Sequence, residues 1–192
     1  PDRISSQDLN LIFNLTDVTI LPSSNEGWGL SITEAMMCGK MIIANVTGGM
    51  QDQMRFEDEN GEWIKFSPDF CSNHFGTYRK CGDWAIPVFP SNSSLVGSPA
   101  TPYIWDDRLD FRDLAKAINT VYEMSPEERN RRGTLAREWV TSDESMMSAR
   151  WMCKNTIKYI DQTFDTWKPR QKFEFIKITE YPKKKLRHKL LY

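Results

Sequence analysis

The sequence predicts an α/β protein in which helices flank a parallel sheet. Residues 18–21 and 41–44 are short apolar runs with the length and composition of buried strands. A polar loop with two glycines follows the first run, and a second glycine-containing loop follows the other. Two strand–loop–helix steps in roughly fifty residues are typical of a Rossmann-like, doubly wound sheet.

Helix signals surround these strands. Ser5 and Asp8 have the spacing of a capping box, and an apolar stripe follows them, so the first helix is predicted to begin here. The second helix is predicted over residues 30–38 and should end at Gly39, because glycine readily takes the left-handed conformation that ends a helix.

The rest of the chain gives weaker signals. Short strands are expected at residues 62–66 and 84–88, and a loop rich in serine and proline is expected over 90–102. Three helices should close the body: one over residues 110–124, one beginning after the cap residue Ser125, and a last one with an apolar stripe from Cys153 to Trp167. We therefore expect one Rossmann-like domain at 1–167, with a loop-rich insertion at about 67–104, and a tail at 168–192.

Composition excludes several classes of protein. Apolar residues make up 40% of the 192 residues and charged residues 27%, which excludes a wholly disordered chain. No apolar run is long enough to span a bilayer, no basic-then-apolar leader opens the chain, and the four cysteines form no CxxC pair. We expect a reducing, cytoplasmic setting. Because the chain begins with proline rather than methionine, we also expect it to be part of a longer protein.

Charge is distributed unevenly. Residues 168–192 carry a net charge of +7, which leaves −8 on the preceding residues. The basic run at 183–189 could bind an anionic membrane surface or nucleic acid, and a solvated tail is the alternative. The acidic body argues against nucleic acid as a partner.

The loop at 22–29 is the first candidate site, because ligands bind at the carboxyl ends of parallel strands. Gly27 and Gly29 allow a sharp turn and a close approach of the backbone to a ligand. Leu30 and Ser31 should then lie in the first turn of the following helix, where their backbone amides have no hydrogen-bond acceptor within the helix. These free amides predict an anion site suited to phosphate.

Two carboxylates, Glu26 and Glu34, frame this anion site. The expected neighbours of Glu34 on its helix are apolar: Leu30, Met37 and Cys38. A carboxylate among apolar groups needs hydrogen-bond donors, and the vicinal hydroxyls of a sugar would supply two. Beside a phosphate site, that sugar would be the ribose of a nucleotide.

Residues 7–54 resemble the nucleotide-binding half of the retaining group 1 glycosyltransferases of the GT-B architecture. Glu26 and Glu34 are separated by seven residues, as in that family. EGWGL stands where the family has EGFGL, EAMMCGK resembles its EAMACGxP segment, and the TGG at 47–49 resembles its later glycine pair.

The resemblance assigns roles to individual residues. It implies the catalytic position, beside the hydroxyls of the donor sugar, for Glu26, and contact with the ribose diol for Glu34. Gly48 and Gly49 would border the donor pocket. The residues expected to contact the donor through backbone amides or a hydroxyl are Gly27, Trp28, Gly29, Leu30, Ser31 and Thr33.

The implied activity is transfer of a sugar from a nucleotide sugar to an acceptor hydroxyl on a glycan, lipid or protein, with retention and with no required metal or cofactor. The family's acceptor-binding half and basic side chains lie upstream of the matched region, so we expect this chain alone to be inactive. Two alternatives are a non-catalytic GT-B-like binding module and a phosphorylase or epimerase relative.

Cys71, His74 and Cys81 resemble metal ligands, but their spacing fits no standard finger, and we expect no metal site.

Overall fold

The computed structural model describes residues 4–65, 67 and 73–170, and the chain divides into two compact units, Pro1–Lys154 and Asn155–Tyr192. The elements in chain order are α1 (Ser6–Leu15), β1 (Val18–Leu21), α2 (Leu30–Met37), β2 (Met41–Asn45), α3 (Met50–Met54), β3 (Ala85–Val88), β4 (Pro90–Ser98), β5 (Thr101–Leu109), α4 (Phe111–Glu123), α5 (Pro126–Thr141) and α6 (Ala149–Thr166).

A three-stranded parallel sheet lies at the centre of the first unit, in the order β1-β2-β3. Val18 pairs with Met41, and Ile42 pairs with Ala85. Every residue of β2 is buried, as expected for a middle strand covered on both faces. The predicted α/β fold with a parallel sheet flanked by helices is confirmed.

Alternate residues of β2 face two separate cores, because successive side chains of a strand point to opposite faces. Ile42 and Ala44 lie in the larger core, which also contains buried side chains of α2, α3 and α5. Met41 and Ile43 lie in the smaller core with Ala117 of α4. Helices therefore cover both faces of the sheet.

The predicted helix starts are confirmed by their caps. The Ser5 hydroxyl accepts a hydrogen bond from the Asp8 amide at 3.1 Å. The Ser125 hydroxyl accepts one from the Glu128 amide at 3.2 Å, and Asp110 caps α4 in the same way. Such caps satisfy amides that have no acceptor within the helix.

The loop predicted over residues 90–102 is wrong, because β4 and β5 form an antiparallel hairpin there. β4 consists mainly of short polar side chains, and β5 has its apolar residues in a continuous run at 103–105 rather than in alternation, so neither strand has the alternating apolar pattern that predicts a half-buried strand. The predicted strand at 62–66 is also absent over 62–65, where Trp63 forms only an isolated bridge with Glu57. Residue 66 lies outside the described residues.

The described part of the basic tail ends at residue 170, so the basic run at 183–189 lies outside the described residues. Within 4–65, 67 and 73–170, every helix is too short or too polar to cross a bilayer.

Candidate functional site

The loop at 22–29 leaves the carboxyl end of β1 and leads into α2. Glu26 is half-buried in this loop. Gly29 precedes α2 with φ +83°, a left-handed conformation that favours glycine. A Cβ at Gly29 would also lie 3.0 Å from the Leu21 side chain, so both backbone conformation and packing require glycine.

Gly48 and Gly49 pack directly against this loop. A Cβ built on Gly48 would overlap the Glu26 carbonyl oxygen, and one built on Gly49 would overlap the Gly27 carbonyl oxygen. Gly48 has φ +52°, and the Gly49 amide donates to the Glu26 carbonyl at 3.4 Å. The structure therefore brings together two glycine loops that are separated in sequence, each at the carboxyl end of a neighbouring strand.

The start of α2 presents free backbone donors. Gly29 provides no side-chain cap, and Ile32 has the first amide of the helix with an acceptor, the Gly29 carbonyl at 3.2 Å. Among the described residues, the amides of Leu30 and Ser31 have no acceptor. These donors and the helix dipole favour an anion at this position.

Glu34 lies one turn into α2 and is exposed. The argument that apolar neighbours desolvate its carboxylate is wrong, because Leu30 is itself 68% exposed and the buried side of α2 is formed by other residues. The carboxylate is open to solvent and available to a ligand. Its contact with a ribose diol stays a prediction.

Trp28 and Thr33 take part in a buried hydrogen-bond relay. The Trp28 indole donates to the Thr33 hydroxyl at 2.9 Å, which donates to the Gln53 side-chain oxygen at 2.7 Å. The Gln53 amide nitrogen then donates to the Trp28 carbonyl at 2.5 Å. This closed relay ties the 22–29 loop to α2 and α3. Direct contact of Trp28 or Thr33 with a nucleotide-sugar substrate stays a prediction.

Asp107 of β5 is the centre of a second buried network and is 2% exposed. Its carboxylate accepts hydrogen bonds from the hydroxyls of Thr47, at 2.7 Å, and Ser93. Its amide donates to the Ser24 carbonyl at 2.8 Å, and its carbonyl accepts from the Asn45 side chain at 2.7 Å. The hairpin is thereby fixed to the carboxyl ends of β1 and β2.

Sequence analysis missed both Gln53 and Asp107. Gln53 lies in α3, a five-residue helix that was not predicted, and Asp107 lies in a strand of the unpredicted hairpin. Neither residue belongs to a motif, so the sequence contains no signal that distinguishes them from exposed polar residues.

Of the three residues that resemble metal ligands, His74 and Cys81 lie in the described residues. Cys71 lies outside them. His74 packs edge-on against Phe56 at 4.5 Å, and burial lowers its pKa. Burial raises the pKa of Cys81 to about 12, so this thiol is protonated at neutral pH. No cluster of three or more potential metal-binding side chains occurs within 4–65, 67 and 73–170.

Comparison with known proteins connects this geometry to a family. Residues 2–70 match the sequence model of the family described as glycosyl transferases, group 1. Over 125 residues the chain is 26% identical to a protein of Methanocaldococcus jannaschii named as an uncharacterized glycosyltransferase, and the alignment covers 65% of this chain and 30% of that protein. The chain thus spans less than a third of the relative. The segment that carries Glu26, Glu34 and both glycine loops has the sequence pattern of the group 1 glycosyltransferases.

Proposed function

We propose that this chain binds the nucleotide-sugar donor of a retaining, GT-B-type glycosyltransferase. The observation that supports the proposal most directly is the packing of Gly48 and Gly49 against the backbone of the Glu26 loop. This packing leaves the amides of Leu30 and Ser31 at the edge of the same loop, where a diphosphate would find donors.

The two carboxylates would divide the remaining contacts. Glu34, exposed on α2, would accept hydrogen bonds from the two ribose hydroxyls, and Glu26 would lie beside the hydroxyls of the transferred sugar. The amides would bind the diphosphate without a metal. Titrations in the presence and absence of a chelator are therefore expected to agree.

Transfer also requires an acceptor and positive charge for the leaving diphosphate. Residues 22–39 contain no lysine or arginine. Lys40 follows them, but its amine donates to the Asn14 carbonyl at 3.1 Å, beyond the carboxyl end of α2. We therefore propose that the chain binds donor and that catalysis needs a further part of the protein.

The test is calorimetric titration of the chain with UDP and GDP. Glu34→Ala is expected to weaken the better ligand by about 1–3 kcal/mol, the range for a lost charged hydrogen bond. Glu26→Gln should leave nucleoside-diphosphate affinity unchanged and weaken only the intact nucleotide sugar. Glu59→Ala, which removes another exposed carboxylate, is the matched control and should change neither affinity.

A 2′,3′-dideoxynucleotide separates the diol contact from general electrostatics. It should bind the unaltered chain as weakly as the ribonucleotide binds Glu34→Ala, and that variant should not discriminate between the two ligands. Equal affinity of the unaltered chain for both nucleotides would contradict the role of Glu34. Absence of nucleoside-diphosphate binding would contradict the proposed function.

A further inference from the structure

One face of the β4–β5 hairpin combines an anchored end with an exposed aromatic end. Ser93 pairs with Asp107, and Leu95 pairs with Trp105. Because side chains alternate along a strand, these four residues and Tyr103 share one face, which we call the platform face. Its inner end is the buried Asp107 network described above.

The outer end of the platform face is open. Leu95 is 55% exposed, Tyr103 60% and Trp105 55%. Burial of these side chains against a ligand would remove apolar surface from water, which favours binding. The two aromatic rings offer broad flat surfaces for that contact. The rest of β4 consists mainly of small polar residues. The aromatic side chains are therefore concentrated at one place on a largely polar ribbon.

The hairpin runs beside the candidate donor site. The Asn25 side-chain amide donates to the main-chain carbonyl of Trp105 at 3.0 Å, and the Asp107 amide donates to the Ser24 carbonyl at 2.8 Å. The outer edge of β5 thus follows residues 24–25, and Glu26 is the next residue of the chain. Since Asn25 binds a main-chain atom, substitution of the Trp105 side chain preserves this anchor.

Charge on the hairpin restricts the kind of ligand. β4 has no charged residue, and the charges of β5 are Asp106, Asp107 and Arg108. Asp106 and Arg108 lie on the face opposite Asp107 and pair with each other at 3.8 Å. The platform face therefore has no cation for a phosphate. It suits an uncharged molecule that has both apolar ring faces and hydroxyls, which is the chemistry of a saccharide.

We infer that the platform face contributes to binding the saccharide acceptor of the transfer proposed above, together with the acceptor-binding half expected upstream, and that a sugar ring stacks on Trp105 and Tyr103. The role as acceptor rests on the proposed function, because it assumes that the adjacent Glu26 loop binds the donor. The charges of the hairpin disfavour the nucleotide itself. The occupant is an uncharged glycan, and the hydrogen bonds of Asp107 with Ser24, Asn45 and Thr47 hold the hairpin in place.

The experiment follows the indole N–H resonance of Trp105, assigned with Trp105→Phe, during titration with maltotriose, chitotriose and mannotriose. At least one trisaccharide is expected to shift this resonance in a saturable manner. Trp105→Ala should weaken that trisaccharide about tenfold or more, judged from other backbone resonances of the hairpin, and Trp105→Phe should weaken it less because an aromatic ring remains. Ile104→Ala, an exposed residue on the opposite face, is the matched control and should bind normally.

Several results would overturn the inference. No response of Trp105 to any of the three trisaccharides would do so, as would equal weakening by Ile104→Ala. A Trp105 shift that follows UDP or GDP together with the Leu30 amide would assign the platform face to the donor. A shift that depends on protein concentration alone would assign it to a second copy of the chain.

These outcomes are distinct from failure of the proposed function, which the nucleoside-diphosphate titrations measure separately. Nucleotide binding without a saccharide response would support the donor site and contradict saccharide binding by the platform face. A saccharide response without nucleotide binding would support a glycan-binding surface and contradict its role as an acceptor site.

Discussion

The two ends of the parallel sheet are built differently. At the carboxyl end, buried polar side chains of Asn45, Thr47, Gln53 and Asp107 hold loops in place through hydrogen bonds. At the amino end, aromatic packing dominates, and Trp84, which precedes β3, stacks on Trp139 of α5 with ring centroids 5.7 Å apart. Buried polar groups are costly unless they are hydrogen-bonded, so the carboxyl end depends on its hydrogen bonds, whereas the amino end depends mainly on packing.

Both ends also contain a close backbone contact that only glycine allows. A Cβ on Gly48 would overlap the Glu26 carbonyl, and one on Gly133 of α5 would overlap the Gly39 carbonyl. The steric requirement is the same, but the first contact positions a loop with a candidate site residue and the second joins a helix to the turn before β2. Whether such a glycine matters for function therefore depends on the segment that it contacts.

The largest effect is expected from Gly48→Ala compared with Gly133→Ala. Gly48→Ala combines overlap with a positive φ and should lower the free energy of unfolding by about 2–4 kcal/mol. Gly133→Ala should cost less, about 1–3 kcal/mol, because alanine favours a helix and offsets part of the overlap. Urea unfolding measures both changes.

Nucleotide titration of the same two variants separates an effect on the candidate site from an effect on stability alone. The folded fraction of Gly48→Ala should lose UDP or GDP affinity, whereas folded Gly133→Ala should retain it. Normal nucleotide affinity in Gly48→Ala would contradict the view that the two glycine loops form one site.

A smaller loss is expected from Thr33→Val, which removes the hydroxyl that joins Trp28 to Gln53. Two buried polar groups then lack a partner, so the free energy of unfolding should fall by about 1–3 kcal/mol. Thr134→Val on the exposed side of α5 is the matched control and should change stability by less than about 0.5 kcal/mol. Equal effects of the two substitutions would show that the relay contributes nothing.

The smallest effect is expected from the charges near the amino end of the sheet. Hydrogen bonds from Arg131 and then Arg132 lower the pKa of Glu128 to about 2. A carboxylate whose pKa is lower in the folded state adds stability above its unfolded pKa, and that stability is lost as pH falls through about 2. Glu128 is half-buried, with 34% of its side chain exposed, so screening by solvent keeps the contribution small.

Comparison of Glu128→Gln with the unaltered chain tests this by urea unfolding at several pH values. The difference between the two midpoints should be present at neutral pH and should shrink toward zero near pH 2. A difference that does not vary with pH would mean that the side chain acts through packing rather than through its charge.

Features that depend on neighbouring residues could be predicted from the sequence. The caps at Ser5 and Ser125 and the strands predicted at 18–21 and 41–44 are local, because hydrogen bonding to nearby amides and a short run of apolar side chains specify them. The pattern of glycines and carboxylates also indicated the segment that matches the glycosyltransferase family.

Features that depend on distant contacts became visible only in the folded chain. The hairpin has no alternating apolar pattern to mark its strands, and Asp107 connects it to Ser24, Asn45 and Thr47, which are more than fifty residues away. The exposure of Glu34 likewise depends on which side of α2 is covered by the rest of the protein. Local patterns contain no information about which distant donor will satisfy a buried carboxylate, so these parts of the candidate site appear only when the chain is folded.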